Sequence, residues 1–394
     1  MDLLNGTIRA YPWGSRTLLP ALCGRQAPSE RPEAELWYGA HPASPSELAG
    51  SGELLDAVVA ADPRAALGAR VADAHDGQLP FLVKILAADQ PLSLQAHPSP
   101  EQAEAGFDRE NEAGVPIDAP NRNYRDAHHK PEIMIALTEF RAMAGFRPVE
   151  ATRELFAELD CPECDRYLTM LDPGPDGETD LRGLFTTWIT IPGETRRELI
   201  DAIVAKARVR ARRDDWIADV LRTVVDLNQR YPGDVGVLGA LLLNHVTLRP
   251  GEAIYLDAGQ LHAYVQGMGV EIQANSDNVL RGGLTSKYVD VPELVRVLDF
   301  TPLADPRVVP VPSQEGPAGS VNYPVPVPDF VITVGHPPAD GWRIDQNAPS
   351  ILLCTNGHLE VADKKLSAGD ALWLAAEDPE VTVTGPGQLV WVRC

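Results

Sequence analysis

Three polar residues that can hold a metal ion or a substrate alternate along residues 92–98. Successive side chains of a β-strand point to opposite faces, so Ser93, Gln95 and His97 would share one face of a strand. The positions between them are small or apolar, as expected for the face that packs on a core. Packing does not require a hydroxyl, an amide oxygen and an imidazole side by side. We therefore expect this strand to carry part of a functional site.

Two later segments supply further ligands of the same kind. Glu132 follows a proline and precedes an apolar run typical of a buried strand, and His262 lies in a predicted hairpin. Together, Gln95, His97, Glu132 and His262 form a nitrogen and oxygen ligand set that suits Zn²⁺, although other first-row divalent ions also fit. Only Glu132 is anionic, so a bound ion would keep positive charge and could polarise a hydroxyl or carbonyl oxygen.

The bulk composition limits the partners of the protein. The chain has 394 residues, long enough for two or three domains, and its 35 prolines and 32 glycines favour a β-rich fold with many turns. Its net charge of −22 argues against nucleic acid or an anionic membrane as a partner. We expect a small-molecule substrate, and an anionic one would need a local cationic pocket.

The sequence also bears on cellular location and on cysteine chemistry. It has no apolar run near the ~18 residues of a membrane span and no basic-then-apolar signal at its start, so we expect a cytoplasmic protein. Its five cysteines are scattered and predict no disulfide framework. Cys161 and Cys164 form a lone C-x-x-C pair without the second pair of a zinc ribbon, and their role is left open.

Changes in the spacing of hydrophobic residues divide the chain into strand-like and helix-like segments. Residues 1–148 read as short strands and turns, whereas 149–245 carry helical spacing, for example Ile200, Ile203, Val204 and Ala207. Alternating strands then resume. We predict a mainly β protein with an α-helical insertion, divided into three parts. These parts are a discontinuous catalytic domain of residues 1–148 and 246–320, a helical insertion of residues 149–245, and a C-terminal domain of residues 321–394.

A weak internal repeat predicts two related β-barrels. The spacing Gly251-x5-Asp257-x-Gly259-x2-His262 resembles the second metal-binding motif of cupins, which are small β-barrel or jelly-roll domains. Gly369-Asp-Ala-Leu-Trp-Leu374 repeats the opening of this motif, but Glu380 stands where the histidine would fall. We therefore predict a bicupin with a metal-free C-terminal barrel.

Several motifs along the chain are shared with one known family. They are Tyr11-Pro-Trp-Gly-Ser15, Leu94-Gln-Ala-His-Pro98, His129-Lys-Pro-Glu132, Tyr231-Pro-Gly-Asp-Val-Gly236, Leu261-His-Ala-Tyr264 and the segment from Glu271 to Lys287. Taken together, they resemble the type I mannose-6-phosphate isomerases of the cupin superfamily, over nearly the whole chain. The sequence departs from the family at Ser286, where proline is usual, and at Gln273, where methionine is usual.

The resemblance implies a zinc-dependent aldose-ketose isomerase that interconverts D-mannose 6-phosphate and D-fructose 6-phosphate through a cis-enediol intermediate. The family's four ligands of one zinc ion correspond to Gln95, His97, Glu132 and His262, the set reached above. The family's active-site arginine corresponds to Arg281, and its guanidinium would stabilise negative charge on the sugar oxygens. The resemblance also implies a cupin catalytic domain, a helical insertion and a second cupin.

The residue that moves the carbon-bound proton is left open among three candidates. Glu271 and Asp277 lie in the segment leading to Arg281, and Lys130 could act if its pKa were lowered. We favour Glu271, although a structural salt bridge from Glu271 to Arg281 or Lys287 explains its presence almost equally well.

The substrate phosphate needs fixed positive charge and a hydroxyl donor. Ser93, Lys84 and Lys287 are the predicted phosphate ligands. Two alternatives to the isomerase are a non-catalytic bicupin that binds sugar phosphates and another metal-dependent cupin enzyme, such as an iron oxygenase. The sequence does not give the oligomeric state, and we expect a monomer or a weak homo-oligomer.

Overall fold

The computed structural model describes residues 1–172, 179–345 and 347–394, so residues 173–178 of the predicted helical insertion lie outside the described residues. The strands are β1 Asp2–Asn5, β2 Thr7–Arg9, β3 Glu35–Tyr38, β4 Glu47–Leu48, β5 Phe81–Ala88, β6 Leu94–Ala96, β7 Glu132–Ala136, β8 Phe140–Phe146, β9 Leu243–Leu248, β10 Ala253–Leu256, β11 His262–Ala274, β12 Leu280–Gly283, β13 Arg307–Val308, β14 Val311–Pro312, β15 Val321–Asn322, β16 Val331–Gly335, β17 Trp342–Ile344, β18 Ser350–Asn356, β19 His358–Val361, β20 Lys364–Ser367, β21 Ala371–Leu374, β22 Val381–Thr384 and β23 Gln388–Arg393. The helices are α1 Leu18–Leu22, α2 Leu55–Ala61, α3 Pro63–Ala74, α4 Pro100–Glu112, α5 Val149–Leu159, α6 Pro162–Leu168, a 3-10 turn Thr169–Leu171, α7 Leu181–Thr190, α8 Gly193–Arg210, α9 Trp216–Arg230, α10 Val235–Ala240 and α11 Val291–Val297.

The largest sheet carries the candidate site. Its main path runs β13-β10-β7-β11-β5-β3-β2, and β11 also pairs with β6 and β8. An eight-stranded sheet follows the order β14-β15-β16-β23-β18-β21-β1-β4, and a four-stranded sheet the order β17-β22-β19-β20. The N-terminal strand β1 therefore shares a sheet with strands from the C-terminal part of the chain.

Strand β11 bends so that its two halves join different neighbours. Residues 262–266 pair with β8, and residues 267–274 pair with β5 and β7. Gly267 lies at the change of partner with φ of 121°, and a Cβ there would come within 2.5 Å of the Glu139 carbonyl oxygen. Glycine is required at this point because an L side chain fits neither the torsion angle nor the space.

Hydrophobic burial holds these layers together. One core forms where residues of β3, β5, β7 and β11 pack against residues of β16, β18 and β23, with Phe81, Ile272 and Phe330 fully buried. A second core packs the helices against β6 and β8. In α8, the four residues with helical spacing are all buried, as predicted.

The mainly β fold with several helices is thus confirmed, and the helices α5–α10 occupy residues 149–240. Among the described residues, no helix combines the length and the apolar character that a membrane crossing requires.

Candidate metal centre

Strand β6 places Gln95 between two other functional side chains. Gln95 lies opposite His262 of β11 on one side and opposite Arg281 of β12 on the other. Side chains that are directly opposite in a sheet lie on the same face. Gln95 is half-buried, whereas Leu94 and Ala96 are buried, as the sequence alternation predicts. His97 follows the last residue of β6 and is buried.

Glu132 reaches the same region from the other half of the bent strand. It begins β7 and lies opposite Gln273 of β11. Its carboxylate lies 3.4 Å from His97 Nε2 and 3.5 Å from His262 Nε2. The potential ligand atoms of His97, Glu132 and His262 lie within 4.8 Å of one another, and each residue is at most 1% exposed.

Hydrogen bonds orient both imidazoles for metal binding. His97 Nδ1 donates to the Asn278 carbonyl oxygen at 2.7 Å, and His262 Nδ1 donates to the Gln260 carbonyl oxygen at 2.9 Å. These bonds leave each Nε2 with a free lone pair. His97 Nε2, His262 Nε2 and Glu132 Oε2 are buried without a hydrogen-bond partner among the described residues. Buried polar atoms without partners are rare, and a cation bound between these three would satisfy them.

The electrostatics of the cluster favour the metal-binding protonation states. Burial and the nearby Lys130 ammonium lower the pKa of His97 to about 4, so its imidazole is neutral at neutral pH. Burial alone would raise the pKa of Glu132, but Lys130 and His97 outweigh burial and hold it well below its usual range. Two imidazoles and one carboxylate are a ligand set that suits Zn²⁺, and Gln95 stands beside them on the same face.

Lys130 is the immediate neighbour of the cluster. Its Nζ lies 3.0 Å from Glu132 Oε1, and both side chains are buried. The Lys130 ammonium therefore balances the Glu132 carboxylate.

A second row of charged side chains crosses the same face of the sheet. Glu271 of β11 lies opposite Lys84 of β5, and Lys84 lies opposite Trp37 of β3. Lys84 Nζ donates to Glu271 Oε2 at 2.9 Å and also to Gln273 Oε1, and it lies 5.0 Å from the centre of the Trp37 ring. The predicted alternative of a salt bridge from Glu271 to Arg281 or Lys287 is thus replaced by a pair with Lys84.

Burial and the neighbouring charges together shift the pKa values of this pair. Burial alone would lower the pKa of Lys84, but Glu271, Glu35 and Glu132 raise it above its ordinary value. Burial raises the pKa of Glu271, helped by the nearby carboxylates of Glu132 and Glu35 and opposed by Lys84. Glu271 is therefore a carboxylate whose affinity for a proton exceeds that of an exposed glutamate.

These groups line one cleft of about 430 Å³. The cleft brings together the predicted site residues Ser93, Lys84, Gln95, Lys130, Glu132, Glu271, Asp277, Arg281 and Lys287. The nitrogen of Lys84 is occupied by Glu271 and Gln273, whereas Lys287 is exposed. Asp277 lies beyond the end of β11 and approaches His41 Nε2 at 3.5 Å.

Comparison with known proteins agrees with this geometry. The family model of the phosphomannose isomerase type I catalytic domain matches residues 1–149. Mannose-6-phosphate isomerase of Escherichia coli (strain K12) is 38% identical over 401 residues, covering 100% of this chain and 99% of that protein. The Homo sapiens mannose-6-phosphate isomerase is 33% identical over 427 residues, covering 99% and 97%. A crystal structure of mannose 6-phosphate isomerase bound with zinc and yttrium matches with a TM-score of 0.88 at 36% identity, covering 100% of this chain and 99% of that one.

The chain belongs to the type I phosphomannose isomerase family. The family membership predicted from the motifs is confirmed by these full-length similarities. A zinc-bound mannose 6-phosphate isomerase has the same TM-score of 0.88 over 100% of this chain.

Two polar residues of the site in this phosphomannose isomerase family member were not predicted from the sequence. Tyr264 lines the cleft, and its buried hydroxyl has no hydrogen-bond partner among the described residues. Burial and the nearby Glu271 carboxylate raise the pKa of Tyr264, so the hydroxyl stays protonated. Its position two residues after His262 on one strand was the available signal. Asn278 carried no such signal, because its importance lies in the contacts that it makes with residues 125–128.

Proposed function

We propose that this chain isomerises D-mannose 6-phosphate and D-fructose 6-phosphate with one bound Zn²⁺ ion. The observation that carries the proposal is the group of three buried ligand atoms on His97, Glu132 and His262, which have no hydrogen-bond partner among the described residues. Of these three residues, Glu132 also lines the cleft that carries the cationic side chains. The relatives of the chain across its whole length are mannose-6-phosphate isomerases, which favours the isomerase over a sugar-phosphate-binding bicupin or another metal-dependent cupin enzyme.

The zinc ligands in this proposal are Gln95, His97, Glu132 and His262. The bound metal would supply a Lewis acid that polarises a sugar oxygen. Gln95 is supported by its position opposite His262 in the sheet, and the other three by their mutual distances. The resemblance of the motifs to the family implies the same four residues.

The reaction moves a proton from C2 of the open-chain aldose to C1 and moves the carbonyl group from C1 to C2. It needs no oxidant. We assign the proton transfer to Glu271, because its buried carboxylate lines the cleft and its raised pKa suits proton uptake and release. Lys130 and Asp277 remain the alternative proton carriers. Lys130 is balanced by Glu132, and Asp277 is partly exposed near His41.

Arg281 is assigned to the negative charge that develops on the sugar oxygens of the cis-enediol. It lies opposite Gln95 in the sheet and lines the cleft. Its guanidinium forms no hydrogen bond or ion pair with the described residues, so its donors are available to substrate. Ser93 and Lys287 line the same cleft as candidate phosphate ligands, and Lys84 contributes its charge through the pair with Glu271.

We also propose the bicupin organisation, with the catalytic domain in residues 1–148 and 246–320, the helical insertion in 149–245 and the metal-free cupin in 321–394. Its support is the repeated motif opening. Gly251 and Gly369 both have positive φ, 86° and 93°, and each precedes a short strand, β10 and β21. The expected cytoplasmic location and the monomeric or weakly oligomeric state stay predictions.

The deciding experiment is a coupled assay of mannose 6-phosphate turnover with zinc-loaded protein, chelated protein and chelated protein with zinc restored. Loss of turnover with chelator and recovery with zinc supports the proposal. Two matched variants test the metal site directly. His262→Asn should abolish turnover and zinc retention, and the control His358→Asn, at an exposed position of β19, should change neither.

Other results select the alternatives. Iron retained after purification, without isomerase turnover, would indicate another metal-dependent enzyme. Sugar-phosphate binding without turnover by the zinc-loaded protein would indicate a binding protein.

A further inference from the structure

Three cationic side chains meet at the mouth of the cleft, and none of them has an anionic partner among the described residues. They are Arg125, Arg281 and Lys287, which line both the main cleft and an adjoining cavity of about 330 Å³. None of the three side chains forms a hydrogen bond or an ion pair with the described residues. Arg122, in the wall of the same cavity, differs because its Nε lies 3.0 Å from Glu110 Oε2.

The three cations lie close enough to repel one another. Burial, and then the positive charge of Arg125, lowers the pKa of Arg281. Burial lowers the pKa of Lys287, and Arg281 and Arg125 lower it further. Among the described residues, Asp277 is the one carboxylate that lines both cavities, and its ion-pair contact is with His41 rather than with any of the three. The mouth of the cleft thus carries unbalanced positive charge on a protein whose net charge is −22.

The position of Arg125 is fixed from the metal side of the cleft. The Arg125 backbone N–H donates to Asn278 Oδ1 at 2.7 Å, and Asn278 is fully buried. The carbonyl oxygen of the same Asn278 accepts from Nδ1 of the candidate zinc ligand His97. One buried residue therefore sets the distance between the metal centre and the segment that carries Arg125.

Resting on the proposed function, we propose that Arg125 and Lys287 form the binding site for the substrate phosphate, with Arg281 between them and the metal centre. A phosphate monoester carries a charge between about −1.5 and −2 at neutral pH and presents three acceptor oxygens. It would supply the anion that the three cations lack. Arginine suits this role because its planar fork can bind two phosphate oxygens at once.

This assignment explains why Lys84 is not needed as a direct phosphate ligand. Its nitrogen is bonded to Glu271 and Gln273 beneath the cleft, whereas Arg125 and Lys287 are exposed at the mouth. Arg125 is accordingly a specificity-determining residue that the predicted set of Ser93, Lys84 and Lys287 lacks.

The test compares Arg125→Gln with the matched variant Arg208→Gln, which removes the same charge from an exposed position at the end of α8. The measurements are KM and kcat for mannose 6-phosphate, and the dissociation constant of inorganic phosphate by calorimetry on metal-free and zinc-loaded protein. For Arg125→Gln we expect both KM and the phosphate dissociation constant to rise by roughly 10- to 100-fold. The value of kcat should change by less than about threefold, and Arg208→Gln should match the wild type.

Folding and rescue are checked with Arg125→Lys, which keeps the charge but loses the fork, and which should recover part of the phosphate affinity. An unchanged KM and an unchanged phosphate dissociation constant in folded Arg125→Gln would overturn the assignment. A fall in kcat at constant KM would overturn it as well, because Arg125 would then act on the reacting atoms. Absence of turnover in the wild type would remove the proposed function, yet calorimetry would still show whether phosphate binding depends on Arg125.

Discussion

Under the proposed ligand assignment, Lys130 and a bound zinc ion would compete for the carboxylate of Glu132. The Lys130 ammonium lies 3.0 Å from Glu132 Oε1, with side chains that are 10% and 2% exposed. A Zn²⁺ ion held by Glu132 would take over this charge balance and would repel the nearby ammonium. Replacing Lys130 with methionine, which has a similar length but no charge, should therefore affect the metal-free and metal-bound proteins differently.

The size of the effect follows from the burial of the pair. Removing one partner of a buried ion pair typically destabilises a protein by about 3–5 kcal/mol, because the other charge is left unbalanced. We expect the free energy of unfolding of metal-free Lys130→Met to fall by about 3 kcal/mol. If zinc recovers half of that loss on binding, about 1.5 kcal/mol, the variant binds zinc roughly tenfold more tightly than the wild type.

Chemical denaturation of the metal-free proteins and competition with a zinc chelator measure the two quantities. Lys206→Met is the matched control, since the Lys206–Asp160 pair spans 3.4 Å at the surface, with side chains 44% and 86% exposed. A surface pair contributes below about 1 kcal/mol, so this control should be near wild type in both assays. Weaker zinc binding by Lys130→Met would refute the reasoning, because Lys130 would then support the metal instead of competing with it.

Three further outcomes are expected elsewhere in the chain. Burial and the nearby Arg147 lower the pKa of His245 to about 3, so the unfolded chain takes up this proton first as pH falls from 6.5. Chemical denaturation between pH 6.5 and about 3 should show that this group lowers the free energy of unfolding by up to about 1.4 kcal/mol per pH unit as pH falls. His245→Asn should lack this contribution. Asn278→Ala should lower the free energy of unfolding by about 2 kcal/mol, because four backbone groups of residues 125, 126 and 128 lose a buried partner, and thermal denaturation would detect it. Cys161 and Cys164 are buried with raised pKa values, so a thiol reagent should label them only after unfolding; rapid labelling of the folded protein would contradict this.

The alternation of residues 93–96 could be read from the sequence because it reports which face of a strand is buried. The structure has Ser93 and Gln95 half-buried and Leu94 and Ala96 buried. The strand itself is shorter than predicted and ends at Ala96. His97 still reaches the cluster because its Nδ1 is held by the Asn278 carbonyl, a contact between residues 181 positions apart.

The partner of Glu271 could not be read in the same way. Local spacing favoured Arg281 or Lys287, which follow Glu271 within 16 positions. The actual partner, Lys84, is 187 positions away and is set by the antiparallel register of β5 and β11. Register depends on how two complete strands pack, and no short motif records it.

Arg125, the third cation at the mouth beside the predicted Arg281 and Lys287, could not be predicted from the sequence for a related reason. Arg125 lies in a loop with neither strand nor helix periodicity, and its neighbours Arg281 and Lys287 come from a segment more than 150 positions later. What brings them together is the side chain of Asn278, which is bonded to the backbone of residues 125, 126 and 128. A buried amide that joins two loops has no distinctive spacing in sequence.

The charges of the cleft are arranged by depth. At its floor, Lys84 pairs with Glu271 and Lys130 pairs with Glu132, so each of these two buried cations is held in place by a carboxylate before any ligand arrives. Charged groups that are already oriented need little reorganisation during a reaction, which is the condition for electrostatic stabilisation of a transition state. At the mouth, the cations have no anionic partner among the described residues, so their charge is available to a bound anion. Removing Arg125 or Lys287 should therefore weaken substrate binding, whereas removing one partner of a floor pair should disturb the catalytic step and the stability of the fold.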